Sequence, residues 1–513
     1  MVSIRWSLAL LLGLSTACGS DDQSASGGAC ADTSKVAAFP TPRWQTGPML
    51  SPPSGDYAVG LLTDLKPKWA DALSRVDGWP ARPTIVLPLS ASASSVDASR
   101  VSLFAADSAG ALTKRDVVFE AKLSDEGTSL VVQPRDPFPP DARDVVLVVA
   151  SDAIDGAKPL PACSGGKPDP AYATARASLP EGTDAALALP FHIATTAFDL
   201  GHLYERIAPS PVLKVASVEA RALASFGDAA PPSDVAALLA PTAASGILEL
   251  PAYAGADGVF ELDTDGAPKA QGTTKPGFIV ALPATGSAPY PFVLFQHGGG
   301  QDKSDFFQLA GPLAQAGFAF VAIDLPLHGD RAGVGGGTDL DFVDFSDIAK
   351  TRDNFRQAVS DHMAVFTGIA ALNAALAPVL GVSEPLDAKK GFYMGLSLGG
   401  ISGSITFSTT PNVNAAGLFV AAGGYPEIVS KGLFAALVST ILKLPTPDRE
   451  TVLGMAETIL DGADPLSYAI RVEDRSLRPR PALFMQAIED PVIPEPSSDQ
   501  WARAFGATLA EPF

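Results

Sequence analysis

Positive charge is in short supply. The chain sets 36 lysines and arginines against 56 acidic residues, a formal net charge of −20 over 513 residues. Binding a phosphate backbone needs basic patches, so this balance excludes a nucleic-acid partner; surface solubility accounts for the acidity. Charge of either sign is sparse at 18%, while 47% of residues are hydrophobic. A large core can be buried, and the length suits two or three domains. Long apolar runs are missing after the N-terminus: beyond SLALLLGL (7–14) no segment is long enough to span a bilayer. Cysteine is limited to Cys18, Cys30 and Cys163, and histidine to His192, His202, His297, His328 and His362. Turn formers are plentiful: 47 glycines and 45 prolines, well spread, suit a turn-rich globular protein.

The N-terminus reads as an export signal. Arg5 gives a positive start, and 7–14 is too short to cross a bilayer as a mature helix. STAC follows, with small residues ahead of Cys18. This resembles a bacterial lipoprotein signal, with Ser15 where leucine is usual. The resemblance implies a lipid on Cys18 and an outer-membrane or cell-surface location. An ordinary secretory signal cut nearby, giving a secreted or periplasmic protein, is the alternative. The stretch 19–40 opens as a polar tether, GSDDQSASGGA. With Cys18 lipidated, Cys30 and Cys163 remain as an even pair in an exported protein, which suits a disulfide. Two free thiols are the alternative.

Residues 41–205 read as a β-rich domain. RPTIVLPLS (82–90), SRVSLFAA (99–106), RDVVFEAKLS (115–124), TSLVVQPRDPFPP (128–140) and RDVVLVVAS (143–151) are β-branched runs between Asp, Gly, Ser and Pro turns. That rhythm predicts an antiparallel β-sandwich. The order of strand, proline-rich turn and strand in 129–156 resembles a bacterial Ig-like domain. DALSRVDGWPARPTIVLPLS (71–90) resembles the N-terminal domain of bacterial virulence-factor lipases.

Residues 206–513 form the second expected domain. SDVAALLAPTAAS (233–245) is predicted helical. From about 275 apolar strands alternate with helices: strands in 277–283, 291–300, 318–329, 391–397, 415–424 and 481–494, and helices over 306–318 and 351–376. Such alternation predicts a mostly parallel sheet with helices on both faces. The stretch 425–469 carries Phe434, Leu437, Val438 and Ile441 at helical spacing and reads either as a lid or as a helix packed on the sheet.

In GFYMGLSLGG (391–400), Gly395 and Gly399 flank Ser397 at two residues either side, between a strand and a helix-like run. This G-x-S-x-G spacing, with the strand PFVLFQ ending in HGGG (His297, Gly298, Gly299, Gly300), resembles the nucleophile elbow and oxyanion loop of the α/β-hydrolases. The resemblance implies a nucleophilic Ser397 and oxyanion donors from Leu398 N–H and from Gly299 or Gly300. ALFMQAIEDPVIP resembles the D-x-x-V-P ending of many such enzymes and makes Asp490 the acid, with Glu489 the alternate. An Ig-like domain ahead of this fold is most similar to secreted bacterial lipases and esterases, which act without metal or cofactor.

A serine hydroxyl needs a base, and all five histidines precede Ser397. The family order places the histidine after the acid. Three expectations compete. The chain is a fragment or truncated product lacking the last strand and histidine loop. Alternatively another histidine serves, best His328 in DLPLHGD, a loop otherwise resembling a structural element. Or the chain is a non-catalytic cell-surface binding protein on a hydrolase scaffold. The first makes it an exported ester hydrolase acting on a small-molecule or lipid ester.

Overall fold

The computed structural model describes residues 30–508 apart from 46, 48, 54, 66, 108–109, 140, 196–198, 333–338, 433–434, 436–442 and 474–479. The signal stretch, Cys18 and residues 19–29 of the tether lie outside the described residues, as do Phe434, Leu437, Val438 and Ile441.

The N-terminal strands are β1 (Ile85–Pro88), β2 (Val101–Ala106), β3 (Leu112–Arg115), β4 (Phe119–Leu123), β5 (Ser129–Pro134), β6 (Asp144–Val149), a short hairpin of β7 (Cys163–Ser164) and β8 (Lys167–Pro168), and β9 (Leu187–His192). They form antiparallel sheets in the orders β1-β5-β4 and β3-β2-β6-β9. The single strand expected over 115–124 is two, because β3 pairs with β2 and β4 with β5. The chain changes sheets between Arg115 and Phe119.

Side chains alternate across a strand. Leu103, Ala105, Leu147 and Leu189 enter the main core, while Phe104, Val146, Val148 and Ala188 pack with Ala175 of helix Pro170–Ala177 on the other face. The four-stranded sheet is therefore covered on both faces, which explains the unbroken apolar run in β6. Cys30 and Cys163 form a disulfide with Cα atoms 5.2 Å apart. Beside it, Ala31 N–H donates to Pro161 O, and Cys163 N–H to Ala31 O, each at 2.8 Å.

The second sheet holds β10 (Lys214–Ala222), β11 (Thr242–Ala252), β12 (Gly272–Thr274), β13 (Gly277–Ala281), β14 (Tyr290–Gln296), β15 (Ala319–Ile323), β16 (Leu386–Leu396), β17 (Val413–Phe419) and β18 (Ala482–Met485). Its order is β10-β11-β13-β15-β14-β16-β17-β18, with β12 on β11. Pairing is parallel from β15 through β18 and antiparallel from β10 to β15, so the sheet is mixed rather than mostly parallel. Phe292 and Leu294 enter one core, and Val293 and Phe295 the other, where Phe306, Phe307 and Ala310 cover them.

Two helical expectations change. Only Ser233–Ala236 is helical in 233–245; from Thr242 the chain is β11, paired on both sides by β10 and β13. The helix expected over 351–376 is two, Ile348–Thr367 and Ile369–Leu380, bent by 68° at Gly368. Among the described residues no single helix is long and apolar enough to cross a membrane.

After β17 come helices Tyr425–Lys431, Thr446–Leu460 and Pro465–Glu473. Thr446–Leu460 packs against the N-terminal sheet, where Thr84 Oγ1 donates to Glu457 Oε2 at 3.2 Å. At the sheet's end, Phe484 of β18 packs under Trp501 and Phe505, while Leu483 and Met485 on its other face are about half exposed.

Candidate active site

Strand register gathers the site at one edge of the second sheet. Gln296 pairs with Gly395, Leu396 with Phe419, and Phe419 with Met485. The loops that follow β14, β16 and β18 therefore leave the sheet at the same end. Those loops carry HGGG, Ser397 and Asp490.

Ser397 joins β16 to helix Leu398–Thr409 with φ 52° and ψ −115°. A non-glycine residue rarely takes positive φ, at a cost of about 1–3 kcal/mol, and holds it only where its surroundings enforce it. Here Ser397 N–H donates to Phe419 O, and Ser397 O accepts from Ile401 N–H, both at 2.9 Å. The flanking glycines are required by close approach. A β-carbon on Gly395 would lie 2.2 Å from Gly399 O, and one on Gly399 2.3 Å from Gln296 O. Tyr393 O–H fastens the turn from below, donating to Gly399 O at 2.6 Å. The Ser397 side chain makes no capping bond to its helix. Its hydroxyl sits instead at the helix N-terminus, where the backbone dipole favours negative charge.

The HGGG loop is anchored from beneath. His297 is fully buried; its Nε2 accepts from Leu325 N–H at 3.0 Å, which puts the proton on Nδ1, and Nδ1 donates to Gly298 O at 2.7 Å. Burial pushes this imidazole down to about 4, so it stays neutral. Gly298 N–H donates to Gln301 Oε1 at 2.8 Å and is thus committed within the loop. Gly300 takes the left-handed φ of 66° that glycine permits.

Of the remaining histidines, His362, His328 and His192 bond to other groups. His362 is buried, with Nε2 2.9 Å from Gln296 Oε1 and Nδ1 2.8 Å from Thr406 Oγ1. Burial and the nearby Arg331 push it down to about 3. His328 Nδ1 donates to Pro326 O at 2.9 Å, its ring 5.3 Å from that of His297. Its loop is built on buried Asp324, which accepts from Lys303 N–H at 2.9 Å and Asp330 N–H at 3.0 Å and pairs with Lys303 Nζ at 2.9 Å. His192 pairs with Asp144 in the N-terminal sheets, and His202 lies on helix Asp199–Ile207. Among the described residues no hydrogen bond joins Ser397 to a histidine.

Asp490 follows Glu489, itself at φ 57°. Asp490 Oδ1 accepts from Val492 N–H at 2.8 Å and Ile493 N–H at 3.0 Å, so the carboxylate is held by its own turn. Pro494 then starts helix Glu495–Ala504. Gln301 and Gln296, which fix the HGGG loop and connect it to His362, are the residues sequence reading missed; neither sits in a motif, and only the fold brings them in. Among the described residues no cluster of three or more His, Cys, Asp or Glu could hold a metal.

Residues 292–511 match a family model described as the alpha/beta hydrolase family. Similar solved structures include an acetyl xylan esterase from Paenibacillus sp. R4 (16% identity, 60% of this chain, 84% of that one, TM-score 0.34). Another is acetyl xylan esterase 1 from Thermoanaerobacterium sp. JW/SL YS485 (14% identity, 60% of this chain, 92% of that one, TM-score 0.31). A third is an acylaminoacyl peptidase from Pyrococcus horikoshii (14% identity, 48% of this chain, TM-score 0.31), of whose length the match spans 34%. No curated protein matches the chain. Residues 292–511 thus match the alpha/beta hydrolase family, and that part of the chain has the α/β-hydrolase fold.

Proposed function

We propose that the chain is an exported serine ester hydrolase. The observation that carries this reading is Ser397, held at positive φ between a strand and a helix N-terminus. In the proposed reaction Ser397 Oγ adds to the ester carbonyl carbon while its proton passes to a base. The oxyanion is held by Leu398 N–H and the Gly299–Gly300 segment. Collapse releases the alcohol, which takes the proton back, and water then cleaves the acyl-serine. Asp490 orients the base. The base is an imidazole; among the chain's own, His297, His328, His362 and His192 each hold a hydrogen bond to another group. The substrate class is a small-molecule or lipid carboxylic ester. The strand orders β1-β5-β4 and β3-β2-β6-β9 support an Ig-like sandwich as the N-terminal module. Anchorage through a lipid on Cys18 completes the proposal.

The test is hydrolysis of a short-chain nitrophenyl ester with and without added imidazole, beside fluorophosphonate labelling. Imidazole-dependent turnover that disappears in Ser397→Ala is expected. No labelling and no turnover under any imidazole concentration would reject the enzyme reading. The histidine arrangement favours one second reading, a non-catalytic surface protein on the same scaffold, and that outcome would select it.

A further inference from the structure

Helix Thr446–Leu460 and helix Tyr425–Lys431 face the three-stranded N-terminal sheet across a cleft of about 570 Å³. This lies within the range of about 300–1,000 Å³ typical of small-molecule sites. The register sets Glu120 opposite Gln133 and Lys122 opposite Val131, so these four share the sheet face that lines it. Ser430, Lys431 and Arg449 face them from the helices. Buried Val131 and Leu453 give it an apolar floor.

The charges in this wall are balanced. Glu427 is neutralised by Arg82, whose two terminal nitrogens lie 3.2 and 3.3 Å from its oxygens. Glu450 pairs with Lys122 at 2.9 Å and Arg449 at 3.4 Å. Glu120 and Lys431 remain exposed, one of each sign. The Gln133 amide nitrogen is used on Thr84 Oγ1 at 2.6 Å, leaving its carbonyl oxygen as an acceptor. An anion would meet Glu120 and a cation would meet Lys431, while Lys122 and Arg449 are already paired with Glu450. A wholly apolar ligand would strip water from these groups and return nothing. A neutral ligand rich in hydroxyls fits donors and acceptors of both kinds.

We infer that this cleft binds a short neutral oligosaccharide, with its hydroxyls on Glu120, Gln133, Ser430 and Lys431. Binding there needs neither Ser397 nor Asp490, so it stands apart from the proposed hydrolysis. It also borders it: helix Tyr425–Lys431 runs into Gly432, where a β-carbon would lie 2.6 Å from Val492 O, two residues beyond Asp490.

The test is calorimetric titration of the full chain with cellotriose, mannotriose and maltotriose, with a neutral Gly–Ser peptide and a heparin fragment as controls. At least one trisaccharide is expected to bind once per chain with Kd below about 1 mM. The Glu120→Ala/Lys431→Ala double variant should weaken it about tenfold with an unchanged melting temperature, since both side chains are exposed. The inference is overturned if no trisaccharide binds, if the double variant binds equally well, or if the peptide or heparin binds in its place. Ser397→Ala should bind like wild type, so a failed esterase assay leaves this result independent.

Discussion

Gly298 lies directly against Ser397: a β-carbon added to Gly298 would stand 3.2 Å from Ser397 Cβ and 2.9 Å from Gln301 Oε1. The loop and the serine turn are thus packed backbone to side chain. Gly298→Ala would push Gln301 off its bond to Gly298 N–H and displace the loop from the serine. The expected outcome is at least about a tenfold drop in the rate of fluorophosphonate labelling of Ser397, with a stability loss of only about 1–2 kcal/mol. Labelling at the wild-type rate would show that this loop does not act on the serine.

Gly399 presses on the neighbouring strand rather than on a side chain. A β-carbon there would meet Gln296 O at 2.3 Å and His297 O at 2.7 Å, and backbone cannot rotate away. Gly399→Ala should therefore cost about 2–4 kcal/mol, lowering the urea midpoint and separating helix Leu398–Thr409 from β14. A midpoint unchanged from wild type would contradict the packing described.

The motif residues were legible in the sequence because their constraints are local. Gly395 and Gly399 are spaced to let a strand and a helix meet, and the apolar runs of β14, β15 and β16 need no partner to be recognised. What was not legible depends on tertiary pairing. The alanines at the start of β11 favour a helix by propensity. Ala243 and Ala244 are instead fully buried in a strand paired on both sides. Gly368 interrupts a periodicity that continues on either side of it. The cluster of Arg82 with Glu427 and Glu457 joins residues more than three hundred positions apart, which no local pattern records.

The disulfide closes a loop with a sequence separation of 133 between Cys30 and Cys163. Removing it frees that loop in the unfolded chain, and the loop-entropy estimate is about 5 kcal/mol. Cys30→Ser with Cys163→Ser should lower unfolding stability by about 2–5 kcal/mol, read from the urea midpoint and slope together, the slope rising as the freed unfolded chain exposes more surface. Reductant should shift the wild-type midpoint in the same direction and leave the double variant unmoved. No shift in either case would mean that the link does not constrain the unfolded chain.

Asp461 sits fully buried at the junction of the N-terminal sheets and the helices, accepting from Ser467 Oγ. Burial raises its carboxyl from 3.8 to about 7, with Asp464 and Asp77 nearby pushing the same way and Ser467 opposing. Glu457 and Asp464 are raised too, also through burial, each partly offset by Arg82. The folded state thus binds protons more tightly than the unfolded chain. For Asp461 the stabilisation is fully present below 3.8 and is lost as pH rises to about 7. Within that window the slope is about −1.4 kcal/mol per pH unit for this one group. Asp461→Asn keeps an acceptor for Ser467 and removes the titration, so its stability should depend less on pH and exceed wild type above the window. Urea unfolding of both forms across the window measures this directly; parallel curves would assign the pH dependence to other groups.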